Sequence, residues 1–247
     1  MIVITSQRPT SYGKAGKSTR RMQLNRLLWA FVVFLAGMLA MVIYSQSLKT
    51  VTSLGLPAVL GFGGLFVYLM KKGEKAGAQV LRRARDAERG AIAEEKAGEV
   101  LEGLPEGYFV LHDFIVGRGN VDHIVVGPKG VLTVEVKSHR GTVTFDGTVL
   151  LREGKPFEKD FLKQAWSECF AVREILTSRG LSDVPVEPVI LFTNAFVQVR
   201  GKAKGVEVVN LKFLPKFLER LPDCLPPLEV KRTFGRLRAV SVVKGEG

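Results

Sequence analysis

Residues 120–137 read NVDHIVVGPKGVLTVEVK, two Val-rich runs joined by Gly127-Pro128-Lys129-Gly130. β-Branched runs bounded by Gly and Pro, with proline fixing φ inside the turn, predict a β-hairpin. If Gly127 pairs with Gly130, the register carried back along both strands sets Asp122 opposite Glu135. Opposed residues leave a sheet on the same face, with Cβ atoms about 5 Å apart. Lys137, two residues beyond Glu135, joins them there, while alternation turns His123 to the other face as a packed or surface histidine. Two carboxylates in direct opposition are destabilising unless something neutralises them. Lys137 alone could do so, in a rim salt bridge worth roughly 0–1 kcal/mol. Alternatively, Asp122 and Glu135 are oxygen ligands for a hard cation such as Mg²⁺.

The formal charge of the 247-residue chain is +12, which invites a nucleic-acid partner. Its distribution argues otherwise. Residues 1–89 hold 14 Lys and Arg against 3 acidic residues, a surplus of +11, and the remaining 22 bases and 21 acids leave +1. Bulk charge therefore does not mark the soluble part as a DNA-binding domain. The two cysteines, Cys169 and Cys224, form no CxxC pair and read as small hydrophobes in a reducing compartment. The three histidines lack zinc-site spacing.

In chain order, residues 1–26 are polar and basic and read as a cytoplasmic tail. Residues 27–44 and 53–70 are two uncharged runs, long enough to cross a bilayer as a transmembrane hairpin with a short outer link. Arg20, Arg21 and Arg26 before the first run and Lys71, Lys72 and Lys75 after the second place both flanks in the cytoplasm. Residues 71–89 form a basic helical linker whose Arg82, Arg83, Arg85 and Arg89 suit anionic lipid or topology better than nucleic acid. The helix is expected to continue to residue 104, where Pro105 and Gly107 end it.

Strands are expected at 108–114, 121–126, 131–137, 141–145, 148–152, 189–192 and 206–209. An amphipathic helix spans 161–178, with Phe161, Ala165, Cys169, Val172 and Leu176 on one stripe, and helices follow at 211–221 and 228–240. The soluble domain is thus α/β, a mixed sheet flanked by helices, over 90–200, with 201–247 completing it.

Residues 90–193 resemble the NERD (nuclease-related) domain, itself similar to the PD-(D/E)xK nucleases. The resemblance rests on Gly90-Ala91-Ile92-Ala93-Glu94, on Val121-Asp122-His123, on Glu135-Val136-Lys137 followed by Gly141, on Gln164 in LKQAW, and on Phe192-Thr193-Asn194. The family's Asn-Pro before the Gln helix has no counterpart here. The resemblance implies a restriction-endonuclease-like sheet in which Asp122 and Glu135, with the Val136 carbonyl, hold Mg²⁺ or Mn²⁺. Lys137 would position or activate the attacking water, Glu94 approach from the first helix, and Gln164 contact the phosphate or the metal shell.

The expected activity is metal-dependent hydrolysis of phosphodiester bonds in nucleic acid, DNA first, by a protein integral to the membrane through two spans. The competing expectation is a non-catalytic nucleic-acid- or protein-binding module on the same fold. A self-assembling structural membrane protein stands third. Trp166 and Phe170, one turn apart, read as core, and Lys202, Lys204, Lys231, Arg232, Arg236 and Arg238 as solvated charges.

Overall fold

In the computed structural model, the described residues are 10–12, 17–52, 56–117 and 119–245. Packing divides the chain into two units, Ser18–Arg89 and a second made of Met1–Lys17 with Gly90–Gly247. In the first unit, helix α1 runs Lys17–Thr52. Its stretch Leu27–Ser47 has mean hydropathy 2.5 and none of it is buried, so it is apolar and long enough to cross a membrane. Helix α2, Leu56–Glu102, carries the second apolar run at its start. Among the described residues that run yields no second membrane-spanning candidate. Residues 53–55 of the expected span lie outside the described residues.

Within the stretch read as a tail, Thr10–Tyr12 form strand β1 of the second unit, while residues 1–9 and 13–16 lie outside the described residues. β1 lies parallel to β2, Phe109–Val116, with Thr10 beside Phe109. An edge strand's unpaired backbone groups attract just such a short addition. β2 then pairs antiparallel with β3, Gly119–Gly127, and β3 with β4, Gly130–Phe145. β5, Leu150–Arg152, and β6, Lys155–Pro156, continue the meander. Helix α3, Phe161–Thr177, crosses to β7, Val186–Val197, which runs parallel to β4, and β8, Glu207–Asn210, lies parallel to β7. Parallel neighbours need such crossovers. A 3₁₀ turn, Leu211–Phe213, leads into α4, Leu214–Arg220, and α5 closes the chain at Pro227–Gly245. The result is an eight-stranded mixed sheet between helices.

The hairpin register is the expected one from Gly127 beside Gly130 to His123 beside Val134, but the ladder ends there, so Asp122 and Glu135 are not a ladder pair and Asp122 turns to the Val136 N–H. Gly130 takes φ +99°, and a Cβ there would lie 3.0 Å from the Pro185 carbonyl oxygen, so the turn admits little else. The strands expected at 131–137 and 141–145 are one strand, β4, with a bulge between Lys137 and Arg140. Side-chain alternation then sorts β4. Val131 packs with Cys169, Val172 and Leu176 of α3 and with Val230, Phe234 and Leu237 of α5. Leu132, Val134 and Val136 face Ala93, Ala97 and Leu101 of α2 and Leu214 and Leu218 of α4. Cys169 is buried as expected, whereas Cys224 is exposed, and both thiols are free.

His112 on β2 and His123 on β3 sit opposite each other in the ladder, both buried, with their Nδ1 atoms 2.8 Å apart. One nitrogen must donate and the other accept, so at least the accepting ring is neutral. Burial lowers both pKa values, that of His123 to about 3, with the His112 ring adding to the effect. Glu102 on α2, 3.2 Å from His112 Nε2, and the Glu94 backbone oppose the shift only in part. Between pH 6.5 and 3 the unfolded chain binds a proton at this position that the fold refuses. The His123 contribution to stability is therefore whole above pH 6.5 and lost as pH falls towards 3, by up to about 1.4 kcal/mol per pH unit, and His112 acts in the same direction. Replacing both by leucine should flatten that acid slope in denaturation series at pH 5 and pH 7. An unchanged slope would assign it to other groups.

Candidate active site at a fork in the sheet

β4 is longer than any strand beside it. On one edge it pairs with β3 through Val131–Val134 and again with β5 through Val143–Phe145. Along the intervening residues 135–142 that edge has no strand partner. Backbone groups in such a gap need other acceptors or donors. The Val136 N–H finds one in Asp122 Oδ2 at 2.7 Å, a side chain taking the place the next ladder bond would occupy. Val131 sends its N–H the other way, to the Pro185 carbonyl on the β7 side. Alternation thus turns the Val136 N–H and C=O together into the gap, beside Asp122. Beyond the bulge, the Glu153 carboxylate caps the Thr142 N–H. Gly141, at φ +94°, lets it in, since a Cβ there would lie 2.6 Å from Glu153 Oε1.

The side chains of Glu135 and Lys137 leave β4 towards α3. Asp160 caps this helix, its Oδ1 accepting the Lys163 N–H at 3.0 Å, which sets Gln164 in the first turn directly over the strand. Lys137 Nζ is ion-paired to Glu135 Oε1, donates to Gln164 Oε1 at 3.2 Å and lies 4.4 Å from the centre of the Phe161 ring. Gln164 Nε2 donates to Glu135 Oε1 at 2.7 Å and to Glu168 Oε1 at 2.9 Å. Glu135 is 5% exposed and Glu168 8%. Three acidic side chains and one lysine thus meet where the sheet divides.

Electrostatics follow from that crowding. Burial pushes the Asp122 carboxyl well above the usual range, and the charges of Glu135 and Glu94 push the same way; the Val136 N–H and Lys137 counteract in part. Burial, followed by Glu135, raises Glu168 to about 9. The cluster holds more negative potential than Lys137 cancels, so it favours a proton or a cation. Among the described residues no three His, Cys, Asp or Glu side chains gather to hold a metal by themselves. The donors present are Asp122, Glu135 and the Val136 carbonyl. That set fits a hard ion such as Mg²⁺, which takes one or two carboxylates and keeps the rest of its shell for water and phosphate oxygens.

The predicted residues Asp122, Glu135, Val136, Lys137 and Gln164 come together, and Glu94 acts on Asp122 by charge from α2. Glu168 was missed. Its signal was legible: a carboxylate on the buried stripe of α3, beside Ala165 and Cys169 and four residues beyond Gln164. His139 packs against Phe157 and Phe161. Phe170 does not pack as core: it is 54% exposed, stacked on Trp166. Lys202 is committed to Glu187 at 2.7 Å, and Arg232 lies 3.4 Å from Glu229.

The family model of the nuclease-related domain, NERD, matches residues 89–193, a stretch that contains every residue of this cluster. No curated protein and no solved structure matches the chain.

Asp122→Asn keeps an oxygen for the Val136 N–H and removes one of the crowded charges. It should stabilise the fold at neutral pH by up to about 1 kcal/mol, the scale of a like-charge pair in a sheet, read as a higher thermal midpoint. A lower midpoint would mean that the charges are already balanced.

Proposed function

We propose that the chain is a membrane-anchored, divalent-metal-dependent nuclease that hydrolyses phosphodiester bonds, with DNA as the first substrate to test. The observation that carries this reading is the meeting of Asp122, Glu135 and Lys137 at the gap in β4, within the stretch that matches the nuclease-related domain. The likeness to PD-(D/E)xK nucleases belongs to the same proposal. Asp122, Glu135 and the Val136 carbonyl would hold Mg²⁺ or Mn²⁺, which when bound supplies Lewis acidity towards a phosphoryl oxygen.

The chain's own groups do the rest. Lys137, kept over the Phe161 ring and tied to Gln164, presents an ammonium to the face of the gap where an attacking water would stand. Gln164 holds Glu135 with one amide hydrogen and fixes its orientation towards the gap. Glu94 adds negative charge that favours cation capture. The tether reading keeps two spans, residues 27–44 and 53–70, with basic flanks in the cytoplasm; the apolar stretch Leu27–Ser47 and the Lys and Arg beside both runs support it.

One observation favours the non-catalytic module instead. Lys137 already neutralises Glu135 internally, and both side chains are largely buried. The two readings separate on the purified full chain, assayed with Mg²⁺ or Mn²⁺ on single- and double-stranded DNA and RNA. Cleavage that falls by about a thousandfold or more in Asp122→Ala and Glu135→Ala, on the scale of losing a metal's charge stabilisation, with folding retained, is the expected result. Metal-independent binding without turnover would favour the module, and an active Asp122→Ala/Glu135→Ala double variant would defeat the nuclease.

A further inference from the structure

On the sheet-facing stripe of α3, Phe161, Leu162, Ala165, Cys169, Val172 and Leu176 are buried and apolar or small, and Glu168 is the exception. A Leu or Met there would continue the pattern. The carboxyl group instead lies more than nine-tenths buried, against Glu135. Burying a carboxyl group beside another carboxylate is unfavourable and is not repaid by packing. What Glu168 does engage belongs to the site. Its Oε1 accepts from Gln164 Nε2 at 2.9 Å, and Glu135 lies close by.

Gln164 is a two-faced group, with two N–H donors on one end and a carbonyl acceptor on the other. Its donors meet the oxygens of Glu135 and Glu168, and its acceptor meets Lys137 Nζ. Turned over, the amide would set its oxygen against two carboxyl groups and its NH₂ against an ammonium. With Glu168 removed, one amide hydrogen loses its partner, and the amide is free to rock about its bond to Glu135. The orientation of Lys137 and Glu135 loosens with it.

We infer that Glu168 is a positioning residue, which locks the Gln164 amide with nitrogen towards Glu135 and oxygen towards Lys137 and so holds the two reacting-site groups in register. The role in turnover rests on the nuclease reading; the locking of the amide does not. In metal sites, groups that orient the ligands typically carry 10- to 100-fold in affinity or activity.

The test uses the full chain labelled with ¹⁵N-glutamine, the Gln164 side-chain signal being assigned from its loss in Gln164→Ala. Glu168→Met removes the acceptor in a similar volume, Glu168→Ala serves should the longer apolar chain disturb packing, and Glu168→Gln restores an acceptor oxygen. The expected result is a shifted, faster-exchanging Gln164 amide in Glu168→Met and a wild-type-like one in Glu168→Gln. Alongside it, kcat should fall roughly 10- to 100-fold in Glu168→Met with KM little changed, and recover within a few-fold in Glu168→Gln. An unmoved Gln164 signal in Glu168→Met overturns the inference, and so does a moved signal with unchanged kcat. If the wild type cleaves no substrate, the nuclease reading has failed and the amide signal alone decides the locking.

Discussion

A β-strand has two edges, and the second unit depends on how β4 divides one of them. β3 takes the first part and β5 the last, and the residues between are left without a ladder partner. Continuous pairing would have bonded Val136 to a backbone carbonyl and filled the gap with a strand. Instead Asp122 satisfies Val136 with its side chain, and the opening exposes a backbone carbonyl beside two carboxylates. The bulge after Lys137 and the Glu153 cap at Thr142 let β4 continue past the opening without breaking its parallel pairing to β7. The site is thus a product of sheet topology before it is a product of any one side chain.

The same crowding sets stability against use. After burial, the charge of Glu135 raises the tendency of both Asp122 and Glu168 to hold a proton, Glu94 adds to it at Asp122, and Lys137, the Val136 N–H and the Gln164 amide oppose it in part. The surroundings are otherwise a well-filled core, with α3 and α5 on one face and α2 and α4 on the other. A fold with that much buried apolar surface can tolerate a locally unfavourable cluster, the pattern expected where a residue serves chemistry more than packing.

Much of this was legible in local sequence. The Gly127–Gly130 turn carried the register because a hairpin leaves its strands no freedom once the turn is set, and that register placed Asp122 near Glu135. Gln164 could be reached only through the family resemblance, since nothing local says which face of β4 a helix 27 residues away will cover. Glu168 was readable as a misfit on an apolar stripe, but the stripe was traced through its hydrophobic members and passed over it. The union of the two expected strands in β4 was hidden because Ser138, His139 and Arg140 look like a loop, while parallel pairing to β7, a non-local interaction, keeps the strand going. β1 was hidden for the same reason: three polar residues acquire a structure only from a distant edge.

β1 also constrains the path of the chain. Thr10–Tyr12 and Phe109–Leu111 are neighbours in a single sheet, although the apolar stretch Leu27–Ser47 lies between them in sequence. Strands that share hydrogen bonds cannot stand on opposite sides of a bilayer. If Leu27–Ser47 crosses a membrane, the chain must cross back before Phe109, and the number of crossings between Tyr12 and Phe109 is even. A membrane reading of Leu27–Ser47 therefore carries a return crossing with it, a parity rule that hydropathy cannot supply.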